Sequence, residues 1–151
     1  MLRVVISDTS TLILFSKIDE LDILQKVYNE IITTPEIAEE FGEVLPNWIG
    51  VLSVKDKKYQ AFLETQVDRG EASALALAAE FPDTLLLLDD LKARKLAAKL
   101  SLKTTGALGV INKAKQLEII PKVKPLLDKL LLTNFRISKD VIDEILKLNN
   151  E

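Results

Sequence analysis

Short apolar runs alternate with stretches of helical periodicity along this chain. Continuous runs rich in valine, isoleucine and leucine predict strands at residues 3–7, 30–33 and 84–88, with an edge strand at 51–54 and a short last strand at 103–105. Uninterrupted apolar strands are typical of sheets that are covered on both faces, and such sheets are mostly parallel. The pattern therefore predicts an α/β/α sandwich around a central, mostly parallel sheet.

Helices are predicted between and after these strands. The segment EASALALAAEF is apolar on most sides, which predicts a buried helix. Thr9, Ser10 and Thr11 are candidate N-caps of the first helix, and Gly70 is predicted to break the chain between two helices. Six helices are predicted at about residues 12–18, 21–27, 56–68, 91–99, 122–132 and 139–149. Three more are predicted to begin at Pro35, at Glu71 and at Gly106.

The length and composition are those of an ordinary globular domain. For 151 residues, 48% of them hydrophobic and 28% charged, one domain is expected, and no linker or repeat divides the chain. The net charge of −3 is not a basic excess, so any nucleic-acid binding must be local or mediated by a metal. MLRVVISD lacks the apolar core of a signal peptide, no run approaches a membrane span, and cysteine is absent, so a cytoplasmic location is predicted.

Histidine is absent as well as cysteine, and this narrows the possible chemistry. Nucleophilic catalysis by Ser-His-Asp or Cys-His sets, imidazole acid–base catalysis and the usual zinc sites are excluded. An enzyme of this composition would depend on carboxylates, hydroxyls, lysines or a bound metal. Carboxylates alone select hard cations, so Mg²⁺ or Mn²⁺ is the predicted cofactor.

Acidic residues stand at the ends of two predicted strands. Asp8 follows the first strand, and Asp89 and Asp90 follow the run LLLL. Ligands of a parallel sheet bind at the carboxyl ends of its strands, so these acids are expected in one crevice together with Glu71 and Glu40. Clustered carboxylates raise each other's pKa, and a divalent cation that orients a water would neutralise them.

Each acid also has a purely structural explanation. Asp8 is placed to N-cap the following helix, and Glu71 carries a favourable charge for a helix N-terminus. Glu40 is adjacent to Glu39 on an acid-rich helix, where a solvated face would account for both. Either aspartate after LLLL could cap the next helix while the other is functional. The functional interpretation therefore depends on the shared placement of the acids and not on any one of them.

Basic and hydroxyl residues lie close to the acids in the sequence. Lys92, Arg94 and Lys95 form either a solvated helix face or a set of phosphate contacts for a nucleic-acid backbone. TTGALG lacks the lysine of a P-loop, so a tight turn from strand to helix is predicted, with Thr105 available to bond an acid or a metal-bound water. Ser10 is interpreted as a cap and not as a nucleophile, because the chain offers no base.

Five segments in this order resemble the PIN-domain family: VVISDTSTLI, TPEIAEEF, RGEASALALA, LLLLDDLKARKLA and TTGALGVINKAK. They most resemble the branch related to VapC-type toxin ribonucleases of toxin–antitoxin modules. The resemblance covers about residues 3–120 and implies a Rossmann-like core, with about 121–151 as a C-terminal helical extension of a single domain over 1–151. It also implies an acidic site for Mg²⁺ or Mn²⁺, endoribonuclease activity on RNA, a homodimer and a small antitoxin partner.

The resemblance assigns roles to residues of this chain. It implies metal binding by Asp8, Glu71 and Asp89, with Glu40 completing the catalytic set. Glu71 stands where the toxin branch usually has aspartate, and two adjacent acids replace a single one, so the choice between Asp89 and Asp90 is open. The other predicted site residues are Asp90, Thr105 and Ser10 in supporting roles and Lys92, Arg94 and Lys95 in RNA binding.

The leading hypothesis is a metal-dependent ribonuclease that acts as a toxin. A non-catalytic PIN-like module that binds nucleic acid or protein is the main alternative. A HAD-like phosphatase would also have an aspartate after its first strand, but it expects a second aspartate where Ser10 stands. Cleavage of DNA or of flap structures is disfavoured by the small size and by the lack of an arch-like insert.

Overall fold

The computed structural model describes residues 3–151 and is built on a five-stranded sheet. The strands are β1 (Val4–Ser7), β2 (Ile31–Thr33), β3 (Ile49–Val51), β4 (Thr84–Leu87) and β5 (Lys103–Thr105). They lie in the order β3-β2-β1-β4-β5, and all neighbouring strands are parallel. The predicted α/β class with a parallel central sheet is confirmed.

Two groups of helices flank this sheet. Helix α3 (Pro35–Phe41) packs against both α1 (Thr9–Lys17) and α5 (Arg69–Ala78), and α2 (Asp22–Tyr28) packs against α7 (Ala107–Gln116). The helices of the described residues are α1 (Thr9–Lys17), α2 (Asp22–Tyr28), α3 (Pro35–Phe41), α4 (Lys57–Leu63), α5 (Arg69–Ala78), α6 (Leu91–Lys99), α7 (Ala107–Gln116), α8 (Lys124–Leu131) and α9 (Lys139–Leu148).

The centre of the sheet is formed by β1 and β4, and the strand order reverses there. From β1 the chain continues to β2 on one side, whereas β4 lies on the other side. Ser7 is paired with Leu87, so the two strands end at the same level. Ile6 and Leu86 are fully buried within them. In open α/β sheets the crevice at such a reversal is the usual place for ligands.

The predicted bounds of the edge strand and of the helix that follows it were wrong. The edge strand is β3 and not residues 51–54, because buried Ile49 supplies the apolar contact while Val51 and Leu52 are exposed. The helix predicted over 56–68 ends at Leu63, and the Thr65 hydroxyl donates to the Phe62 carbonyl at 2.7 Å just beyond it. Such local side-chain bonds compete with helix continuation.

The predicted break at Gly70 was wrong. Gly70 lies inside α5. The helix begins at Arg69, two residues before the predicted start at Glu71, because Asp68 and Glu71 form a capping box. The Asp68 carboxylate accepts the Glu71 N–H at 2.8 Å, and the Glu71 carboxylate accepts the Asp68 N–H at 3.3 Å. This reciprocal pair satisfies two backbone donors that a helix start otherwise leaves without partners.

The first helix also has a different cap from the predicted one. Asp8, and not Thr9, Ser10 or Thr11, is the N-cap of α1. Its side chain accepts the Thr11 N–H at 2.8 Å. The structural role considered for Asp8 is therefore real, and it holds the carboxylate at the carboxyl end of β1.

The C-terminal helices pack against the rest of the domain to different degrees. Leu126, Leu127 and Leu130 of α8 are buried in the same core as the sheet. None of the residues of α9, all of them described, is fully buried, although its apolar face packs partly against the core. Glu151 joins the two helices by accepting the N–H groups of Val123 and Lys124 at 2.8 and 3.1 Å. Residues 3–151 contain no helix of the length and apolarity that a membrane crossing requires.

Candidate active site

Asp8 lies at the carboxyl end of β1 and is almost completely buried. Its backbone N–H donates to the Leu87 carbonyl at 3.0 Å, which fixes it against the end of β4. Only 3% of the residue is exposed. Burial raises the pKa of Asp8 from 3.8 to about 6; the Thr11 N–H offsets part of this rise, and the charge of Asp89 adds to it. Asp8 is thus a carboxylate held in an unfavourable environment beside a second acid.

Asp89 follows β4 and faces the N-terminus of α7. Its carboxylate accepts the Ala107 N–H at 3.0 Å. A Cβ atom on Gly106 would lie 2.5 Å from Asp89 Oδ1, so a larger residue at this turn would force the Asp89 carboxylate to shift. Burial raises the pKa of Asp89, while the Ala107 N–H and the Arg94 charge lower it. The predicted tight turn within TTGALG therefore serves to position an acid.

Asp90 has a different environment from its neighbour. It is exposed, it N-caps α6, and its carboxylate accepts the Ala93 N–H at 2.9 Å. Of the two alternatives, the structure has Asp90 as the cap and Asp89 beside Asp8. The charge of Asp90 nevertheless acts on Glu71.

Glu71 stands in the first turn of α5 and completes the capping box. Burial raises its pKa to about 7, and the charges of Asp68, Asp90 and Asp8 add to the rise. Asp68 is a member of this acidic group that sequence reasoning missed. The spacing Asp-x-x-Glu before an apolar run would have indicated it, because that spacing is typical of a capping box.

Glu40 reaches the same region from α3. Its Oε1 occupies the space that a Cβ atom on Gly70 would need, so the two are in close contact. Partial burial and the charge of Asp68 raise the pKa of Glu40, and Thr9 and Arg69 lower it in part. Thr9 is buried, and its Oγ1 makes no hydrogen bond of good geometry with any described residue. Glu40 therefore belongs to the rim formed by α1, α3 and α5.

The donor chemistry of this site suits a divalent cation. All its side-chain ligands would be oxygen atoms, which Mg²⁺ and Mn²⁺ prefer, and burial raises the pKa of Asp8, Glu71 and Asp89, so each carboxylate loses stability when it is charged within the fold. In the present side-chain arrangement, no three acidic side chains among residues 3–151 lie close enough to bind one ion together. Metal binding by Asp8, Glu71 and Asp89 thus stays a prediction.

The predicted RNA-binding residues are exposed on α6 but face two directions. A Cβ atom on Gly106 would lie 2.5 Å from Asp89 Oδ1 and 3.3 Å from Arg94 Nη1. The Arg94 side chain therefore lies on the side of the acids. Lys92 and Lys95 line a groove of about 190 Å³ together with Lys99 and Gln66. Within residues 3–151 none of the three predicted residues forms an ion pair shorter than 4.0 Å.

The two predicted hydroxyl residues are also separated. Thr105 ends β5, and its Oγ1 packs against Gly109 and not against an acid, while its carbonyl accepts the Leu88 N–H at 2.9 Å. Ser10 is exposed on α1 and lines a pocket that it shares with Asp89. The opposite wall of this pocket, residues 133–135, comes from the C-terminal part of the chain. Nothing in the local sequence indicated that this segment returns to the acids.

Fold and site together define an α/β protein with an acidic crevice at the strand-order reversal of a parallel sheet. The chain belongs to the PIN-domain family, because the family model described as "DUF3368: PIN domain" matches residues 4–151. The PIN domain is generally a nuclease fold, and its nucleases generally use divalent metals. The match includes residues 121–151, so the C-terminal helices are part of the matched family region. No curated protein and no solved structure matches the sequence significantly.

Proposed function

We propose that this protein is a metal-dependent endoribonuclease and acts as a toxin of the VapC type. One observation carries the proposal. Asp8 and Asp89, which are far apart in the sequence, lie at neighbouring strand ends in the crevice of a PIN domain, and the charge of Asp89 helps to raise the pKa of the buried Asp8. A site of this kind gains by binding a cation that also binds the phosphate of a substrate.

Asp8, Glu71 and Asp89 would hold Mg²⁺ or Mn²⁺, which when bound supplies an activated water and neutralises charge on the phosphate. The backbone of the chain prepares these ligands. The Thr11 N–H fixes Asp8, and the Ala107 N–H fixes Asp89. Both contacts restrict the carboxylates before any ligand binds, which lowers the entropy lost in forming the site.

The remaining charged residues have roles at the substrate. Glu40 would complete the acidic rim beside Gly70. Arg94 reduces the negative charge around Asp89 and is close enough to approach the same phosphate. Lys92 and Lys95 would bind the RNA backbone along the groove of α6. Helix α6 thus carries Arg94 on the side of the acids and a basic groove on another side, where a polyanion could continue.

The toxin role adds three further proposals. The protein would act in the cytoplasm, form a homodimer and be inhibited by a small antitoxin. Support comes from the resemblance to the toxin branch, together with exposed apolar side chains that a partner would cover, such as Leu132 on the C-terminal part and Leu91 at the start of α6.

A non-catalytic binding module is the second candidate function. It is favoured by the spacing of the acids, since no three acidic groups of the described chain converge on one ion position. Its acids would act as helix caps, and the basic groove would bind nucleic acid without cleavage. The two functions differ in whether RNA is cut.

The deciding experiment is cleavage of total RNA by the purified protein with Mn²⁺, with Mg²⁺ and with EDTA. We expect cleavage that needs metal and that is lost in Asp8→Asn. Asp56→Asn is the matched control, because Asp56 is an exposed N-cap that accepts the Tyr59 N–H at 3.0 Å, away from the acids. Absence of metal-dependent cleavage by the folded native protein would contradict the ribonuclease function and favour the binding module.

A further inference from the structure

A pocket of about 330 Å³ adjoins the acidic crevice and shares Asp89 with it. This volume lies at the lower end of the range of about 300–1,000 Å³ for sites that bind small molecules. One wall is α1, and the other wall is the segment 133–135 between α8 and α9. Apart from Asp89, the mechanism proposed above uses none of the residues that line this pocket.

The side chains on the wall formed by α1 change from polar to apolar to basic along the helix. Ser10, Ile13 and Lys17 are three and four residues apart, so they lie along one face of the helix. Ser10 is at the acidic end, the isoleucine is in the middle, and the lysine is at the far end. A ligand in the pocket would therefore meet a hydroxyl, then an apolar surface, then a positive charge.

The opposite wall is held in place by a local turn. The Thr133 hydroxyl donates to the Leu130 carbonyl at 2.6 Å and accepts the Phe135 N–H at 3.1 Å. Leu130 is fully buried in the core, so this turn is anchored to the body of the domain. Phe135 is itself partly packed against the core. An aromatic ring and the exposed Asn134 side chain are thus presented to the pocket from a fixed position.

The occupant that fits these walls is a nucleobase. An aromatic ring opposite an aliphatic side chain suits a flat ligand, and the Asn134 amide and the Ser10 hydroxyl suit hydrogen-bonding groups at its edge. A free phosphate would be repelled by Asp89, and a wholly apolar ligand would leave the amide and the lysine without partners. The lysine suits the phosphate that a nucleotide carries on its sugar.

We propose that this pocket binds one base of the RNA next to the phosphate that is cleaved, with Phe135 as its stacking partner. The proposal rests on the proposed function, because the base is positioned by a strand whose phosphate lies at Asp89. It makes the segment 133–135 a specificity element. Phe135 and Asn134 would select the nucleotide beside the cut, while the acids perform the cleavage.

The test is equilibrium binding of two labelled probes by fluorescence anisotropy in Mn²⁺, with phosphorothioate linkages in both probes so that cleavage is suppressed. One probe is a mixed-sequence single-stranded octaribonucleotide, and the other is the same sugar–phosphate chain without bases. We expect the native protein to prefer the first probe. Phe135→Ala should weaken binding of that probe by about tenfold and leave the abasic probe unchanged, as expected for the loss of one stacked base.

Two further variants separate stacking from folding. Phe135→Trp retains a ring and should keep the preference for bases. Phe62→Ala removes an exposed phenylalanine on α4 and should change neither affinity. Equal binding of both probes by the native protein, or equal weakening of both by Phe135→Ala, would overturn the base site while leaving RNA binding intact. Failure of the folded protein to bind either probe would overturn the base site and the proposed function together.

Discussion

Replacing Asp8 by asparagine is expected to stabilise the protein at neutral pH, although it removes a proposed metal ligand. Burial raises the pKa of this carboxyl from 3.8 to about 6, so the folded state holds its proton more tightly than the unfolded chain does. The stability linked to that proton is fully present below about pH 4 and is lost as the pH rises through about 6. At about 1.4 kcal/mol per pH unit, the loss amounts to about 3 kcal/mol at pH 7.5.

Asparagine avoids this loss because it has no charge. It keeps a side-chain oxygen that accepts the Thr11 N–H, and asparagine is as good an N-cap as aspartate. The free energy of unfolding of Asp8→Asn in EDTA should therefore exceed that of the native protein by up to about 3 kcal/mol at pH 7.5 and match it near pH 4. Urea denaturation followed by circular dichroism at both pH values measures the difference.

The control is the same substitution at Asp56, an exposed N-cap with an equivalent bond to the Tyr59 N–H. It should change the free energy of unfolding by less than about 0.5 kcal/mol at either pH, as surface substitutions usually do. If Asp8→Asn were less stable than the native protein at pH 7.5, the buried charge would be compensated within the fold. The reasoning that leads from burial to a cation site would then be refuted.

Three other substitutions or conditions test separate parts of the structure. Because burial and nearby charges raise the pKa of Glu71 to about 7, its carboxylate is protonated below that pH, and Mn²⁺ affinity measured by calorimetry should fall by up to about tenfold between about pH 7 and pH 6, below which protonation of Asp8 makes the fall steeper. Gly70→Ala should displace the flexible Glu40 side chain, which reduces metal-dependent cleavage, while thermal unfolding shows a stability change under about 1 kcal/mol. Leu127→Ala should lower the free energy of unfolding by about 2–5 kcal/mol, whereas exposed Leu132→Ala should change it by less than about 0.5 kcal/mol.

The strands and the main acids were predictable because local sequence determines them. Buried parallel strands are continuous apolar runs, and an acid directly after such a run has to lie at the carboxyl end of the sheet. This reasoning located Asp8 and Asp89 correctly beside each other. It did not distinguish β3 from the apolar residues that follow it, because burial on an edge strand is decided by tertiary contacts.

Other features depend on contacts between distant parts of the chain. The close contact of Gly70 with Glu40 joins α5 to α3, and nothing near Gly70 in the sequence indicates it. Likewise Phe135 and Asp89 are far apart in the sequence, yet they line one pocket together with residues of α1. Asp68 was a different kind of omission, since its capping-box spacing is visible in the sequence. Long-range packing, and not weak local patterns, accounts for most of what was missed.

The contacts that give these acids a structural role also place them for the proposed metal site. Asp8, Asp68 and Asp90 cap three helices, and Asp89 accepts an N–H at the start of a fourth. Helix N-termini carry partial positive charge, which offsets part of the repulsion between carboxylates. The offset is incomplete, because the pKa values of Asp8, Glu71 and Asp89 are still raised. Under the proposed function, a bound cation would restore part of the free energy that the fold loses by holding these charges. Metal binding at this site should therefore raise the unfolding temperature of the native protein more than that of Asp8→Asn.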